Sequence, residues 1–371
     1  MAEGMNMTFL NMSLSWNDSF TWANGSMAVE EDGREHLGVG TLVLSAFYMV
    51  LIVLGLVGNV VVIFVILKVS GKKKAMKMAD VLVMNLAVSD ILLLSIIPFM
   101  IIDLIVGEWT FSQNMCKFVV GAVNAGAFAS FLSLAALSVD RYHAMAHPLK
   151  SLRVEDHKKT ATILLLLWSL AICTCIPHIW YARVLVYGEG TSHCVLELPA
   201  TAEDPNLWHR VSVAYSFIVG FVVPLAIIIT CYSLILGSIS KSHALSTPDR
   251  VAGLVAIAGR QHNHGHAARV QKHKKLTRVV LILVAAFVFC WLPYHVFHIV
   301  RLIVLPEISK TWMLLALAFN ALSFTNSVIN PILYSFLGEQ FRQSFRQVLG
   351  ASTATTPTVT TSFQPSRAPQ T

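Results

Sequence analysis

The sequence predicts an all-α membrane protein: a bundle of seven transmembrane helices with a short amphipathic helix on the inner membrane surface. Composition is the first observation. Of 371 residues, 55% are hydrophobic and 13% charged, with a mean hydropathy of +0.65. That is too little charge to cover a soluble protein of this length. The second is segment length. A helical span takes about 20 apolar residues, and seven such stretches lie at roughly 41–67, 78–105, 114–140, 160–181, 209–238, 276–304 and 311–336. The third is charge asymmetry: 21 of the 27 Lys and Arg residues fall on one side of these spans.

That basic side includes Lys72 to Lys74, Lys158, Lys159, Lys274, Lys275, Arg342 and Arg346, whereas the other side keeps Arg34, Lys117, Arg183, Arg210, Arg301 and Lys310. A Lys/Arg excess marks the cytoplasm. The N-terminus is therefore expected outside and the C-terminus inside, in a multi-pass protein of the plasma membrane. The net charge of +7 is then a topology signal and does not point to nucleic acid. Acidic residues gather on the outer side, Glu189, Glu197, Glu203, Asp204 and Glu307 among them. They read as a solubilising surface, or as a field that concentrates a cationic ligand.

Residues 1–40 form an extracellular tail, 41–336 the bundle, 337–349 the amphipathic helix and 350–371 a disordered, Ser/Thr-rich cytoplasmic tail. The first tail holds four glycosylation acceptors, Asn6, Asn11, Asn17 and Asn24, each followed two residues later by Ser or Thr. It lacks a positively charged leader before an apolar run, so no cleavable signal peptide is expected. Beyond the last span, Phe341, Phe345, Val348 and Leu349 recur on one helical face opposite Arg342 and Arg346, which suits a membrane surface. Residues 351–371 suit a kinase substrate. Segment 240–275 is polar and reads as a flexible cytoplasmic loop; its alternating His262, His264 and His266 lack a completing metal ligand.

Cys116 at the outer start of the third span and Cys194 in the second outer loop share an oxidising compartment, so a disulfide between them is expected. Cys173, Cys175, Cys231 and Cys290 lie within spans and read as small apolar side chains.

The motifs follow in chain order: Gly58-Asn59, Asn85 to Asp90, Trp109-Thr110-Phe111 before Cys116, Asp140-Arg141-Tyr142, Trp168, Pro224 with Tyr232, Cys290-Trp291-Leu292-Pro293, and Asn330-Pro331-Ile332-Leu333-Tyr334. Over residues 41–349 the chain resembles a rhodopsin-like G-protein-coupled receptor. Trp291-Leu292-Pro293-Tyr294-His295-Val296-Phe297-His298 is similar to the sixth span of galanin receptors in the peptide-receptor branch. Tyr294 and Arg301 depart from galanin receptors proper, which leaves orphan relatives and kisspeptin- or allatostatin-type receptors open.

The resemblance implies a receptor for a neuropeptide, galanin-like or spexin-like, acting on a heterotrimeric G protein with the inhibitory class favoured. Receptor kinase and arrestin would act at the C-terminal tail, and no cofactor beyond an allosteric sodium ion is implied. The G-protein switch is assigned to Asp140, Arg141, Tyr142, Tyr232, Asn330, Pro331 and Tyr334. Trp291 and Pro293 form the activation relay. From Cys116 to Arg141 is about 37 Å of helix, so one element joins the outer disulfide to the inner charge. Arg141 is held by Asp140 in the off state. No acid stands in the sixth span to complete that lock: His273, Lys274 and Lys275 occupy the place, with Thr277 nearby as a substitute.

Asp90 is an ionisable group near mid-membrane and needs partners. Ser130, Asn326, Ser327 and Asn330 can converge on it. The resemblance makes this a sodium site, while the residues alone also suit a hydrogen-bonded structural network. The ligand mouth is assigned to Asp103, Trp109, Asn124, Glu197, His295, His298, Arg301, Glu307 and Trp312. His295 and His298 are three apart and share a helical face.

Other functions fit poorly. No nucleophile and base stand at catalytic spacing, and no internal repeat or second deep acid marks a transporter. The seventh span has no lysine for retinal. The outer half of the third span has no acid for an amine, Val123 and Asn124 standing there. A lipid ligand is disfavoured by the acidic mouth.

Overall fold

The computed structural model describes residues 31–70, 76–146, 157–187, 190–201, 204, 206–244, 261–304 and 310–337. The glycosylation acceptors Asn6, Asn11, Asn17 and Asn24, the helix at 337–349, the tail, Glu203 and Glu307 lie outside these residues. So does the side chain of Tyr334.

The seven apolar stretches each become helical. They are α1 (Glu31–Ser70), α2 (Met78–Ser95) continued by α3 (Ile97–Val106), α4 (Gln113–Ala146), α5 (His157–Tyr181), α6 (Leu207–Phe217), α7 (Val223–Ala244), α8 (Gln261–Val304) and α9 (Lys310–Leu337). A π-helical turn, Ile218–Val222, joins α6 to α7. Among the described residues, six spans are long and apolar enough to cross a membrane, with α2 and α3 counting as one and α6 to α7 as another. The seventh, α9, carries the buried polar groups Asn320, Ser323, Asn326, Ser327 and Asn330. It closes the bundle between α1 and α8.

The α4 helix is central, packing against α2, α5, α7 and α8. Its apolar window is 83% buried against 22% for α5. Apolar side chains also point outward, as with Leu165, Ile172, Ile176 and Trp180 of α5. In water such a surface would be costly; in lipid it is the solvent-facing side. Close approach of α2 to α4 depends on Gly126, where a Cβ would stand 3.3 Å from the backbone of both Ser89 and Leu93.

The prolines act at definite places. Pro98 begins α3 just after the break at Ile96, and Pro177, Pro293 and Pro331 lie inside α5, α8 and α9. The three interior prolines each remove one helical hydrogen-bond donor, whereas Pro98 stands in a first turn, where that N–H has no helical partner. Pro224 follows the π turn directly.

Two features depart from the sequence expectation. The polar segment 240–275 is not loop throughout: α7 runs to Ala244 and α8 begins at Gln261. Residues 267–275 contain Ala, Arg, Gln and Lys without Gly or Pro, and these straight-chain residues extend the sixth helix. The loop after α5 also holds a hairpin, β1 (Ala182–Tyr187) against β2 (Thr191–Leu196), antiparallel and turning through Gly190 at φ +99°.

Candidate functional site

At one end of the bundle the hairpin is fixed from three directions. Cys194 of β2 is disulfide-bonded to Cys116 of α4, with 5.6 Å between their Cα atoms. Gln113, at the start of α4, donates to the Ala182 carbonyl at 2.9 Å and accepts from the Val184 amide at 2.7 Å. The Trp109 amide donates to the Ser192 carbonyl at 2.6 Å. Trp109 is therefore built into the hairpin's support, its ring edge-on to Phe111 at 5.1 Å. Sequence reasoning missed Gln113, which carries no motif.

Asp103 on α3 is 5% exposed, and its Oδ1 has no hydrogen-bond partner. Asn124 of α4 is fully buried; its amide donates to the Val120 carbonyl at 2.8 Å, leaving Oδ1 without a partner. Glu197 is exposed. Asp204 forms an ion pair with Arg210, which removes it as a free outer acid. Trp312 of α9 packs on Phe297 of α8 at 5.5 Å.

His295 and His298 are 3% and 6% exposed, and the Nε2 of each is buried without a partner. His298 lies within electrostatic reach of Arg301, His295 and His209, the last from α6. Sequence reading passed over His209, and also His178 of α5, both ring nitrogens of which are buried and unpartnered.

Below the histidines runs an aromatic column. His295 contacts Phe217 at 5.6 Å, Phe221 at 5.3 Å and Trp291 at 6.3 Å between ring centroids. Trp291 meets Phe131 of α4 edge-on at 4.7 Å, and Phe287 contacts both Phe131 and Phe221. The π turn sets the rotation that presents Phe217 and Phe221 to α8, and Gly220 lets α4 approach there, a Cβ lying 3.3 Å from Phe128.

Deeper still, Asp90 is wholly buried. It accepts from Ser130 at 3.3 Å, Ser327 at 2.8 Å and Asn330 at 2.8 Å, drawing α2, α4 and α9 together. Asn326 is buried but makes no hydrogen bond to Asp90; its Oδ1 and that of Asn330 have no partner. A carboxylate with nearby hydroxyls and orphaned amide oxygens is a donor set that suits a small hard cation. Asn59 bridges the Gly55 and Ser327 carbonyls, and Asn85 joins Ser133 to the Trp168 indole. At the far end, Arg141 pairs with Asp140. Tyr232 of α7 is 4% exposed and within electrostatic reach of Arg141.

Compared with known proteins, residues 58–334 match the family described as "7 transmembrane receptor (rhodopsin family)". The chain belongs to this family. It is 32% identical over 347 residues to somatostatin receptor type 2 of Sus scrofa, covering 92% of this chain and 87% of that one. With somatostatin receptor type 1 of Canis lupus familiaris it shares 30% over 335 residues, covering 88% and 78%. As a rhodopsin-family protein it is a multi-pass membrane receptor and not an enzyme.

Proposed function

We propose that this receptor binds a neuropeptide at the disulfide end, taken as extracellular, and passes that binding to a heterotrimeric G protein at the Arg141 end, with the inhibitory class favoured. One observation carries the reading: the buried, unpartnered Nε2 of His295 stands on an aromatic column that couples α8 to α4 and α6. A peptide terminus with aromatic side chains fits such a site. Relatives named as somatostatin receptors support a peptide ligand. The sixth-span motif resembles that of galanin receptors, so somatostatin-, galanin- and spexin-type peptides are the first candidates.

In this mechanism Asp103 holds a cationic group of the peptide, in place of the third-span position where Val123 stands. The ligand presses on His295 and Trp291, and α8 swings about Pro293. Arg141 then leaves Asp140 and meets the G protein, with Tyr232 and Tyr334 turning inward. A sodium ion held by Asp90, Ser130, Ser327 and Asn330 would favour the off state. The C-terminal tail would be the substrate of receptor kinase and the docking site for arrestin.

The test is nucleotide exchange in cells expressing the chain and exposed to that peptide panel. A peptide should drive exchange in wild type, and Arg141→Ala should abolish it while surface expression persists. Full signalling in that variant would remove Arg141 from the switch, and silence across the panel would count against the peptide reading. Agonist affinity should depend on sodium in wild type but not in Asp90→Asn; an insensitive wild type leaves Asp90 a structural network.

A further inference from the structure

We propose that His209, His295, His298 and Arg301 form an anion subsite that takes a carboxylate of the peptide, its C-terminal acid or an acidic side chain. This rests on the peptide-receptor reading and specifies one end of the ligand.

Three observations converge. His295 and His298 come from one turn of α8 and are nine-tenths or more buried, yet neither Nε2 has a hydrogen-bond partner. Buried polar groups are ordinarily satisfied, so an oxygen supplied by the ligand completes both. The titratable neighbours acting on His298 are Arg301, His295 and His209, none of them acidic, and Arg301 also acts on His209. The Arg301 cation favours a ligand group of the opposite sign. The walls are aromatic: Tyr294 and Phe297 lie 4.3 Å and 5.5 Å from His298, and Phe217 and Phe221 flank His295. Rings exclude water, and a desolvated Arg–carboxylate contact is strong and can be bidentate.

The protonation chemistry is consistent with this choice. A neutral imidazole with its proton on Nε2 donates to a carboxylate oxygen, so the cluster need not be charged beyond Arg301. A carboxamide would satisfy a histidine nitrogen but would gain nothing from the guanidinium. Asp103, on α3, supplies the opposite sign for a cationic group. The ligand fitted by this mouth is therefore dipolar.

The probes are N-acetyl-tryptophan and N-acetyl-tryptophanamide, which differ only in the terminal charge. Their binding to the purified full-length receptor in nanodiscs can be read by ligand-observed NMR at millimolar concentration. The acid should bind about tenfold more tightly than the amide, as charge-assisted hydrogen bonds require. Arg301→Gln and His298→Gln should bring that ratio towards one. Arg301→Lys should restore part of it, which separates loss of charge from loss of fold. Equal binding of the two probes, binding of neither, or a ratio unchanged in Arg301→Gln overturns the proposal. None of these readouts involves a G protein, so they fail independently of the exchange assay that tests the peptide reading.

Discussion

Two buried carboxylates in one span show how neighbours decide what a residue can do. Asp90 accepts three hydrogen bonds from α4 and α9. Its charge is thus compensated by donors that also tie helices together. Asp103, little more than three turns along, keeps an oxygen without a partner. Leaving such a group buried costs about 1–3 kcal/mol, and more when charged. That cost is tolerated where a ligand later offsets it. Asp103→Asn should therefore have opposite effects on stability and on binding. The melting temperature of the purified receptor should hold or rise, while the affinity of a cationic peptide agonist should fall by about tenfold or more. A lower melting temperature with unchanged affinity would show that Asp103 is structural.

At the scale of elements, the hairpin behaves as a lid frame welded to α4, because Gln113, Trp109 and the disulfide all hold it. His193 of β2 lies inside that frame, and burial holds its pKa below the ordinary imidazole range, with the Glu108 carboxylate partly offsetting the effect. A histidine whose folded pKa is depressed gives its full contribution to stability above its unfolded value of about 6.5, and loses it as pH falls towards the folded value. Thermal unfolding between about pH 7.5 and about pH 5.5 should therefore show a larger loss in wild type than in His193→Gln. Equal slopes in the two proteins would exclude His193 as the titrating group. The hairpin is not predicted from the sequence, although Val184, Leu185 and Val186 are strand formers. The spans were legible because bilayer thickness fixes the length of an apolar run. The π turn at Ile218–Val222 is not legible in the sequence, since no residue type encodes it. His209 was invisible for a related reason, as a single histidine acquires meaning only from the partners that folding brings near it. Asp90, by contrast, was readable along with most of its partners, because a carboxylate in mid-membrane demands them.

In the proposed mechanism the receptor switches between two arrangements of α8 against α4. Trp291 contacts Phe131 of α4, and Arg141 lies 25 residues beyond Cys116 on that same central helix. In this structure Arg141 is paired with Asp140, its sequence neighbour. That pair restrains the arginine but does not join α4 to α8. The sequence carries His273, Lys274 and Lys275, and no acid, in the stretch of the sixth helix from which an acid would be expected to join the two. In the proposed mechanism the off state lacks that cross-link, and basal signalling should be appreciable. In the proposed mechanism, His273→Glu supplies the acid that the sixth span lacks. An ion pair of this kind contributes up to about 1 kcal/mol, which shifts a two-state equilibrium about fivefold. Agonist-free nucleotide exchange should fall by a similar factor in His273→Glu, with the maximal response to a saturating agonist retained at higher agonist concentration. His273→Gln, which places no charge there, should leave the basal rate near that of wild type. Unchanged basal exchange in His273→Glu would mean that α8 is already locked by other contacts, and that the missing acid has no bearing on how the receptor rests.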